Sequence, residues 1–457
     1  MSILSINPTN GKLIKSYKED SEKQISGKIE KAHKAWLKWK NTSFSTRADL
    51  LKNAASILLA RKQELATLMA KEMGKPIPAG IAEIEKCAAV CDYYAANGAE
   101  FLKDETIKTE ASESYVSYQP LGLVLAVMPW NFPFWQLFRF LAPALMAGNA
   151  GLLKHASNVT GCALAIEEVI IEAGFPKDIF RVLVINSKFV KQVIAHPLVK
   201  AVTLTGSTEA GKQVAQQAGS YLKKTVLELG GSDPYLVLAD ADLEQAAEIC
   251  MQSRLINNGQ SCIAAKRFIL VKEIEKEFTR IFLEKMQSKV TGDPFDADTD
   301  LGPMARIDLR DELHQQVKAN IKAGAKCILG GEIPDFKGKH AYYTPTVLSG
   351  IRKDMPGYEE EIFGPVALMF SAKNEEEAIR IANDSPFGLG AAVFTSNVKR
   401  GEEIAAKSLN AGSCFVNSLV KSDPRLPFGG INQSGYGREL SAFGIREFVN
   451  IKTVYVK

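Results

Sequence analysis

Between about residues 115 and 230 the chain alternates short, nearly unbroken apolar runs with segments long enough to be helices, a pattern that few folds accommodate. The runs are Leu123 to Met128, Ala150 to Lys154, Arg181 to Ile185, Ala201 to Thr205 and Thr225 to Leu229. A strand apolar on both faces must be covered on both faces, and helix-length connections allow successive strands to run parallel. The expected class is therefore α/β, with ligands gathered at the carboxyl ends of the strands. A second series predicts another α/β domain, with a strand near Arg267 to Val271, a helix from about Ala305 to Gly324, and strands near Ala367 and Cys414. The first hundred residues read as a helical outer layer, with Ser45 or Thr46 capping a long run that Gly74 and Pro76 end.

Composition removes several function classes. At 457 residues the chain is long enough for two or three domains, and 46% hydrophobic with 24% charged residues is ordinary globular composition. The formal charge of +4 is small and scattered, so no nucleic-acid footprint is present. The most apolar stretch, Leu121 to Leu153, is interrupted by Pro129, Asn131, Pro133, Arg139 and Pro143 and cannot serve as a membrane span. Seven cysteines and an opening without an apolar signal core predict a reducing, cytoplasmic compartment. Cys87 and Cys91 lie one helical turn apart, but no second Cys/His pair accompanies them, so no metal site is expected.

Three polar residues stand in settings where they can do chemistry. Cys262 ends the small polar loop Asn257-Asn258-Gly259-Gln260-Ser261, where a thiol is approachable, although a lone cysteine is also a common small core residue. Glu228 ends an apolar run just before Leu229-Gly230-Gly231; desolvation there would raise its pKa and make it a usable base, unless it is a surface turn carboxylate. Asn131 follows the run ending at Met128 and offers an amide donor suited to an oxyanion, or to its own turn. The segment Leu204 to Gln213 nearly spells a nucleoside-triphosphate loop, but Gln213 replaces the required Ser or Thr, and no GxGxxG is present. Its Gly206-Ser207-Thr208 turn can still hold a phosphate at a helix start, or simply cap that helix.

Taken together, Pro129-Trp130-Asn131, Thr205-Gly206-Ser207, Glu228-Leu229-Gly230-Gly231, Gly259-Gln260-Ser261-Cys262, Glu361-Ile362-Phe363-Gly364-Pro365 and Pro427-Phe428-Gly429-Gly430 resemble the aldehyde dehydrogenase superfamily. Within it the chain looks like the shorter bacterial succinate-semialdehyde dehydrogenases. The resemblance implies a dinucleotide-binding domain (1–103 and 121–228), a catalytic domain (229–430) and a small β oligomerisation element (104–120 and 431–457), in homodimers or homotetramers. It implies Cys262 as nucleophile, Glu228 as the base that activates water, and Asn131 as oxyanion donor beside the Cys262 N–H. Glu361 would hold the nicotinamide-side ribose and Phe363 the nicotinamide, with Trp130, Lys154, Gly206, Ser207 and Leu229 lining the rest of the cofactor site. The implied reaction is aldehyde oxidation through a cysteine thiohemiacetal and thioester.

Two positions refine the reading. The commonest pattern of that superfamily has Lys-Pro and then a Glu for the adenosine ribose, whereas this chain has Lys154-His155-Ala156-Ser157. A carboxylate would repel a 2′-phosphate, while the Ser157 hydroxyl and the Lys154 ammonium would bind it, so NADP is the predicted cofactor with NAD as the second; Ser157 as a helix cap is the alternative. A semialdehyde with a distal carboxylate also needs a cation at the far end of an apolar tunnel. Arg139, one turn beyond Trp135 in a segment with Phe132 and Phe138, is the candidate, with Ser261 as a neighbouring donor and Lys421 or Arg425 adding positive field. The competing readings are a structural ion pair at Arg139 and a broad-specificity aliphatic aldehyde dehydrogenase.

Overall fold

The computed structural model describes residues 2–336, 338 and 340–457. The chain opens with an antiparallel hairpin, β1 (Ser2–Ile6) and β2 (Leu13–Lys18), followed by four helices, α1 (Glu22–Trp39), α2 (Phe44–Ala60), α3 (Lys62–Met73) and α4 (Ile77–Phe101). Two differences from the sequence expectation appear here. The hairpin stands where a helical layer was expected, and the run after residue 43 is broken at Arg61 into α2 and α3. The cap of α2 is Ser43, which accepts from the Thr46 N–H, rather than Ser45 or Thr46. Gly74 ends α3 with φ of 76°, a left-handed conformation that glycine adopts without a Cβ penalty.

Short strands β3 (Glu105–Thr106) and β4 (Glu113–Pro120) lead into a parallel series of strands and helices: β5 (Leu123–Met128), α5 (Trp135–Met146), β6 (Ala150–His155), α6 (Thr160–Glu172), β7 (Phe180–Val182), α7 (Val190–Ala195), β8 (Val199–Thr205), α8 (Thr208–Ser220) and β9 (Lys224–Glu228). A second series follows with β10 (Pro234–Val237), α9 (Leu243–Leu255), β11 (Arg267–Val271), β12 (Lys326–Leu329), β13 (Thr346–Ser349), β14 (Val366–Ala372), β15 (Gly390–Phe394) and β16 (Ser413–Val416). The apolar runs read from the sequence are these strands, because β5, β6 and β8 are almost wholly buried between two helical layers.

β5 to β9 form one sheet in the order β9-β8-β5-β6-β7, and β10 to β16 form another in the order β12-β13-β14-β11-β10-β15-β16. One continuous core surrounds the first sheet, and separate cores cover the two faces of the second. The tail departs from the expected assignment of 431–457 to a single small element. It first returns to the first sheet as β17 (Gly435–Tyr436), pairing antiparallel with β9, and only then forms β18 (Val449–Val456) against β4. Gly435 allows that return: its φ is 109°, and it packs so closely on Leu227 that a side chain would collide with that backbone.

The two sheets present opposite ends to one another. The first offers the turns after β5, β8 and β9. The second offers the segments before β10, β11 and β14, which include Ser261, Cys262, Glu361 and Phe363. The expectation that ligands meet carboxyl ends of strands therefore describes the first sheet alone.

Candidate active site

The loop that carries Cys262 is held in a costly backbone conformation. Asn257, Asn258 and Gly259 have φ of 54°, 58° and 74°, three left-handed residues in succession. Asparagine tolerates that region better than most residues. The side chains then fasten the loop to its surroundings. Asn257 Nδ2 donates to the Asn131 carbonyl at 2.7 Å, and Asn258 Nδ2 donates to the Gly74 and Pro303 carbonyls at 3.1 and 3.0 Å. Gln260 Oε1 accepts from the Ala305 N–H at 2.9 Å. Lys266, fully buried, donates to the carbonyls of Ser261 and Cys262 at 2.9 and 2.7 Å and pairs with Glu361 at 3.3 Å.

Cys262 lies where two cavities meet, each of about 240 Å³. One is a cleft between the sheets lined by Trp130, Asn131, Thr205, Gly206, Ser207, Leu229, Gly230, Glu361 and Phe363. The other is a tunnel whose apolar walls include Phe132, Trp135, Ile256, Ile263, Val420 and Phe428. Gln136 and Cys262 line both. Asn131 Nδ2 donates to the Gln260 carbonyl at 3.1 Å, which fixes the amide beside the Cys262 loop and leaves its other hydrogen available.

Burial sets the protonation of this region. The Cys262 thiol is pushed up to about 12 by desolvation, with the nearby cations Arg139 and Lys266 acting the other way. Glu228 is held well above the carboxylate range, first by burial, and neither of its carboxyl oxygens has a hydrogen-bond partner among the described residues. A second buried carboxyl, Glu439, raises it further, while Arg139 and Arg438 act the other way; the Arg139 Nε faces Glu439, with the two side chains 2% and 4% exposed. Burial outweighs the two cations, so the protonated form of Glu228 is favoured.

Lys154 and Ser157 lie at the end of β6 and the start of the following turn. Burial alone lowers the Lys154 pKa, with no carboxylate contributing. His155, whose pKa burial lowers to about 4, accepts the Ala156 N–H on Nδ1 at 2.9 Å; the tautomer that satisfies both contacts donates from Nε2 to the Pro133 carbonyl, also at 2.9 Å. A neutral histidine thereby ties the Lys154–Ser157 turn to the Pro129–Pro133 turn. Ser157 makes no cap hydrogen bond to the helix that follows, whereas Ser207 caps α8 by accepting from Ala210 N at 3.3 Å.

The structure thus brings Asn131, Trp130, Gly206, Ser207, Leu229, Glu361, Phe363 and Cys262 to one cleft, and Phe132, Trp135, Arg139, Ser261 and Cys262 to one tunnel. Glu228, Lys154 and Ser157 line neither cavity. Arg139 differs from the expectation of a free cation, because Glu439 matches its charge and Phe428 stacks on it with 4.6 Å to the ring centroid. Sequence reading missed Lys75, Glu83, Lys86 and Gln136 on the tunnel wall. For Glu83 and Lys86 the available signal was helical spacing: Ala79, Ala82, Glu83 and Lys86 lie on one face of α4.

Comparison with known proteins accords with this geometry. The model of the aldehyde dehydrogenase family matches residues 1–454. The chain is 49% identical, over the whole of both chains, to a protein of Synechocystis sp. named probable succinate-semialdehyde dehydrogenase (NADP(+)). It is 44% identical to succinate semialdehyde dehydrogenase (NAD(P)+) Sad of Escherichia coli K12, covering 99% of this chain and 97% of that one. Among solved structures, succinic semialdehyde dehydrogenase of Streptococcus pyogenes in complex with NADP+ superposes with a TM-score of 0.96 at 38% identity, covering 99% of each chain. This chain belongs to the aldehyde dehydrogenase family.

Proposed function

We propose that this protein oxidises succinic semialdehyde to succinate with NADP as its preferred acceptor. The observation that carries the reading is the position of Cys262, which lines the cleft between the sheets on one side and an apolar tunnel on the other. The names of the relatives from Synechocystis and E. coli support the substrate and cofactor.

The donor set of the cleft fits a dinucleotide. Gly206 has open space where a side chain would stand, with only Leu204 at 3.6 Å, Trp130 and Phe363 give an aromatic wall, and Glu361 is oriented by the Gly231 N–H and Lys266. NADP, when bound, accepts the hydride. Trp130, Gly206, Ser207, Leu229, Glu361 and Phe363 would hold it along the cleft, and Lys154 with Ser157 would receive the 2′-phosphate.

The chain's own residues then act in sequence. Deprotonated Cys262 adds to the aldehyde carbon, and the oxyanion falls to the free Asn131 amide hydrogen and the Cys262 N–H. After the hydride has left, a thioester remains on Cys262. Glu228, once ionised and turned from its buried position toward the sulfur, removes a proton from the water that hydrolyses it. Both groups rest protonated, so turnover rises with pH as each ionises. Sulfur suits both halves, forming the adduct readily and leaving the thioester easily.

The assembly is a homodimer or homotetramer, supported by the free edge of β18 and its exposed Ile451, Tyr455 and Val456. The cytoplasm is its compartment, supported by cysteines that are all unpaired, including the exposed Cys327.

The deciding experiment is a matrix of succinic semialdehyde, butanal and other aldehydes against NADP and NAD, followed by reduced-nicotinamide absorbance. Succinic semialdehyde with NADP should give the highest kcat/KM, and Cys262→Ala should abolish it. A flat aldehyde profile would instead favour a broad-specificity aliphatic enzyme.

A further inference from the structure

Among the described residues, one tunnel cation, Lys86, has no carboxylate within ion-pair distance. Lys86 projects from α4 on the face that also carries Ala79, Ala82 and Glu83, all of which line the tunnel. Its Nζ lies 4.1 Å from the Trp135 ring centroid and donates to Ser422 Oγ at 2.8 Å, both residues also lining the tunnel. Lys86 is half-buried, and the two fully buried tunnel cations are already neutralised: Lys75 by Glu83 and Arg139 by Glu439. A hydroxyl and an aromatic face leave the Lys86 charge uncompensated.

We infer that Lys86, with Ser422, binds the distal carboxylate of the substrate, so that Lys86 rather than Arg139 determines selectivity for a carboxylated aldehyde. The inference rests on the succinic semialdehyde reading above. Its physical basis is charge balance in a poorly solvated tunnel. An incoming carboxylate gains a charge-assisted hydrogen bond from an ammonium already stripped of much of its water, and no internal ion pair must break first. Arg139 would have to release Glu439 to do the same. The alanines at 79 and 82 keep that part of the wall low.

The groups around Lys86 give it a pH signature. Burial, the largest effect, together with repulsion from Arg139 lowers its pKa to about 8, while Cys87, Glu83 and Asp423 act in the other direction. Lys421 also lines the tunnel and adds positive field. Below that pH the free enzyme carries the cation, and above it the cation is lost. The ratio of kcat/KM for succinic semialdehyde to that for butanal should therefore fall as pH rises through about 8. Dividing by butanal cancels the ionisation of the nucleophile and of Glu228.

The test compares the native protein with Lys86→Met and Lys86→Arg, using succinic semialdehyde against butanal and glutaric semialdehyde against pentanal, from pH 6.5 to 9.5. Lys86→Met should reduce the carboxylate preference by about 10- to 100-fold, the loss of one charge-assisted hydrogen bond, and abolish its fall near pH 8. Lys86→Arg should restore most of the preference and move the fall above the range. Competitive inhibition by succinate, measured with butanal as substrate, should weaken in parallel in Lys86→Met. If the native protein prefers carboxylated aldehydes and Lys86→Met keeps that preference and its pH dependence, Lys86 is excluded while the substrate reading stands. If the native protein shows no preference for either semialdehyde over its neutral counterpart, both fail.

Discussion

The buried pair Lys75–Glu83 offers a sharp test of how the site is positioned. Glu83 Oε1 accepts the N–H groups of Phe134 and Trp135 at 2.9 and 3.0 Å, and its other oxygen pairs with Lys75. Lys75 Nζ also lies 4.0 Å from the Phe132 ring centroid. One carboxylate from α4 thus anchors the first turn of α5, and with it Asn131, Phe132, Trp135 and Gln136. Glu83→Gln keeps an acceptor for the two N–H groups but strands the ammonium, and Lys75→Met strands the carboxylate. Each single change should cost about 3–5 kcal/mol, the penalty of an uncompensated buried charge. Lys75→Met/Glu83→Gln removes both charges and should lie within about 2 kcal/mol of the native protein, far from additive. The stranded ammonium also predicts a pH response. Burial already holds the Lys75 pKa below its ordinary value, with Glu83 opposing the shift. Glu83→Gln removes that opposition, so the stability of this variant recovers as pH rises from 7 toward 10. Urea midpoints read by tryptophan fluorescence measure this cycle, and kcat with butanal reports the displaced α5 turn, where a shift of about 1 Å can cost 100-fold. Additive single-site losses, or a Glu83→Gln midpoint that does not recover as pH rises, would refute the reasoning.

Two further outcomes follow from groups at the edges of the cleft. Ser157→Glu places a carboxylate where Lys154 and Ser157 would receive the 2′-phosphate, so kcat/KM with NADP should fall by at least about 10-fold relative to NAD; an unchanged ratio would move the 2′-phosphate elsewhere. Glu228 has a folded-state pKa raised above its unfolded value, so it is stabilising only when protonated, and the native protein loses stability as pH climbs above the ordinary carboxylate range. Glu228→Gln lacks that titration, and its advantage in urea midpoint over the native protein should grow from pH 5 to 8 by about 1.4 kcal/mol per unit while Glu228 still binds its proton. A constant gap across that range would show that the buried carboxyl titrates normally.

Much of this molecule is legible along the chain. The unbroken apolar runs become β5, β6, β8 and β9 because period and length alone separate a doubly covered strand from a helix. Leu123–Met128 and Arg267–Val271 are strands with the bounds the sequence predicts. Cys262 and Asn131 stand out as candidates because small polar residues precede the one and an apolar run ends shortly before the other, and both line one cleft; Glu228 ends an apolar run but lines neither cavity. The missed break at Arg61 and the hairpin at the start are local competitions, in which a short polar segment can join a helix or leave it at little cost.

The sequence by itself determined the class of fold, the strands of the first parallel series and the kinds of group that could react, because periodicity, turn chemistry and motif spacing are properties of neighbours in the chain. Only the tertiary structure decided which charges are spent. Arg139 meets Glu439, 300 positions further on, and Lys75 meets Glu83, while Lys86 is left with a hydroxyl and an indole. The protonation of Cys262 and Glu228 was decided there too, because desolvation depends on everything that folds around a group. Charge pairing acts over a few ångströms in space and is indifferent to separation along the chain, so it cannot be read before the chain is folded.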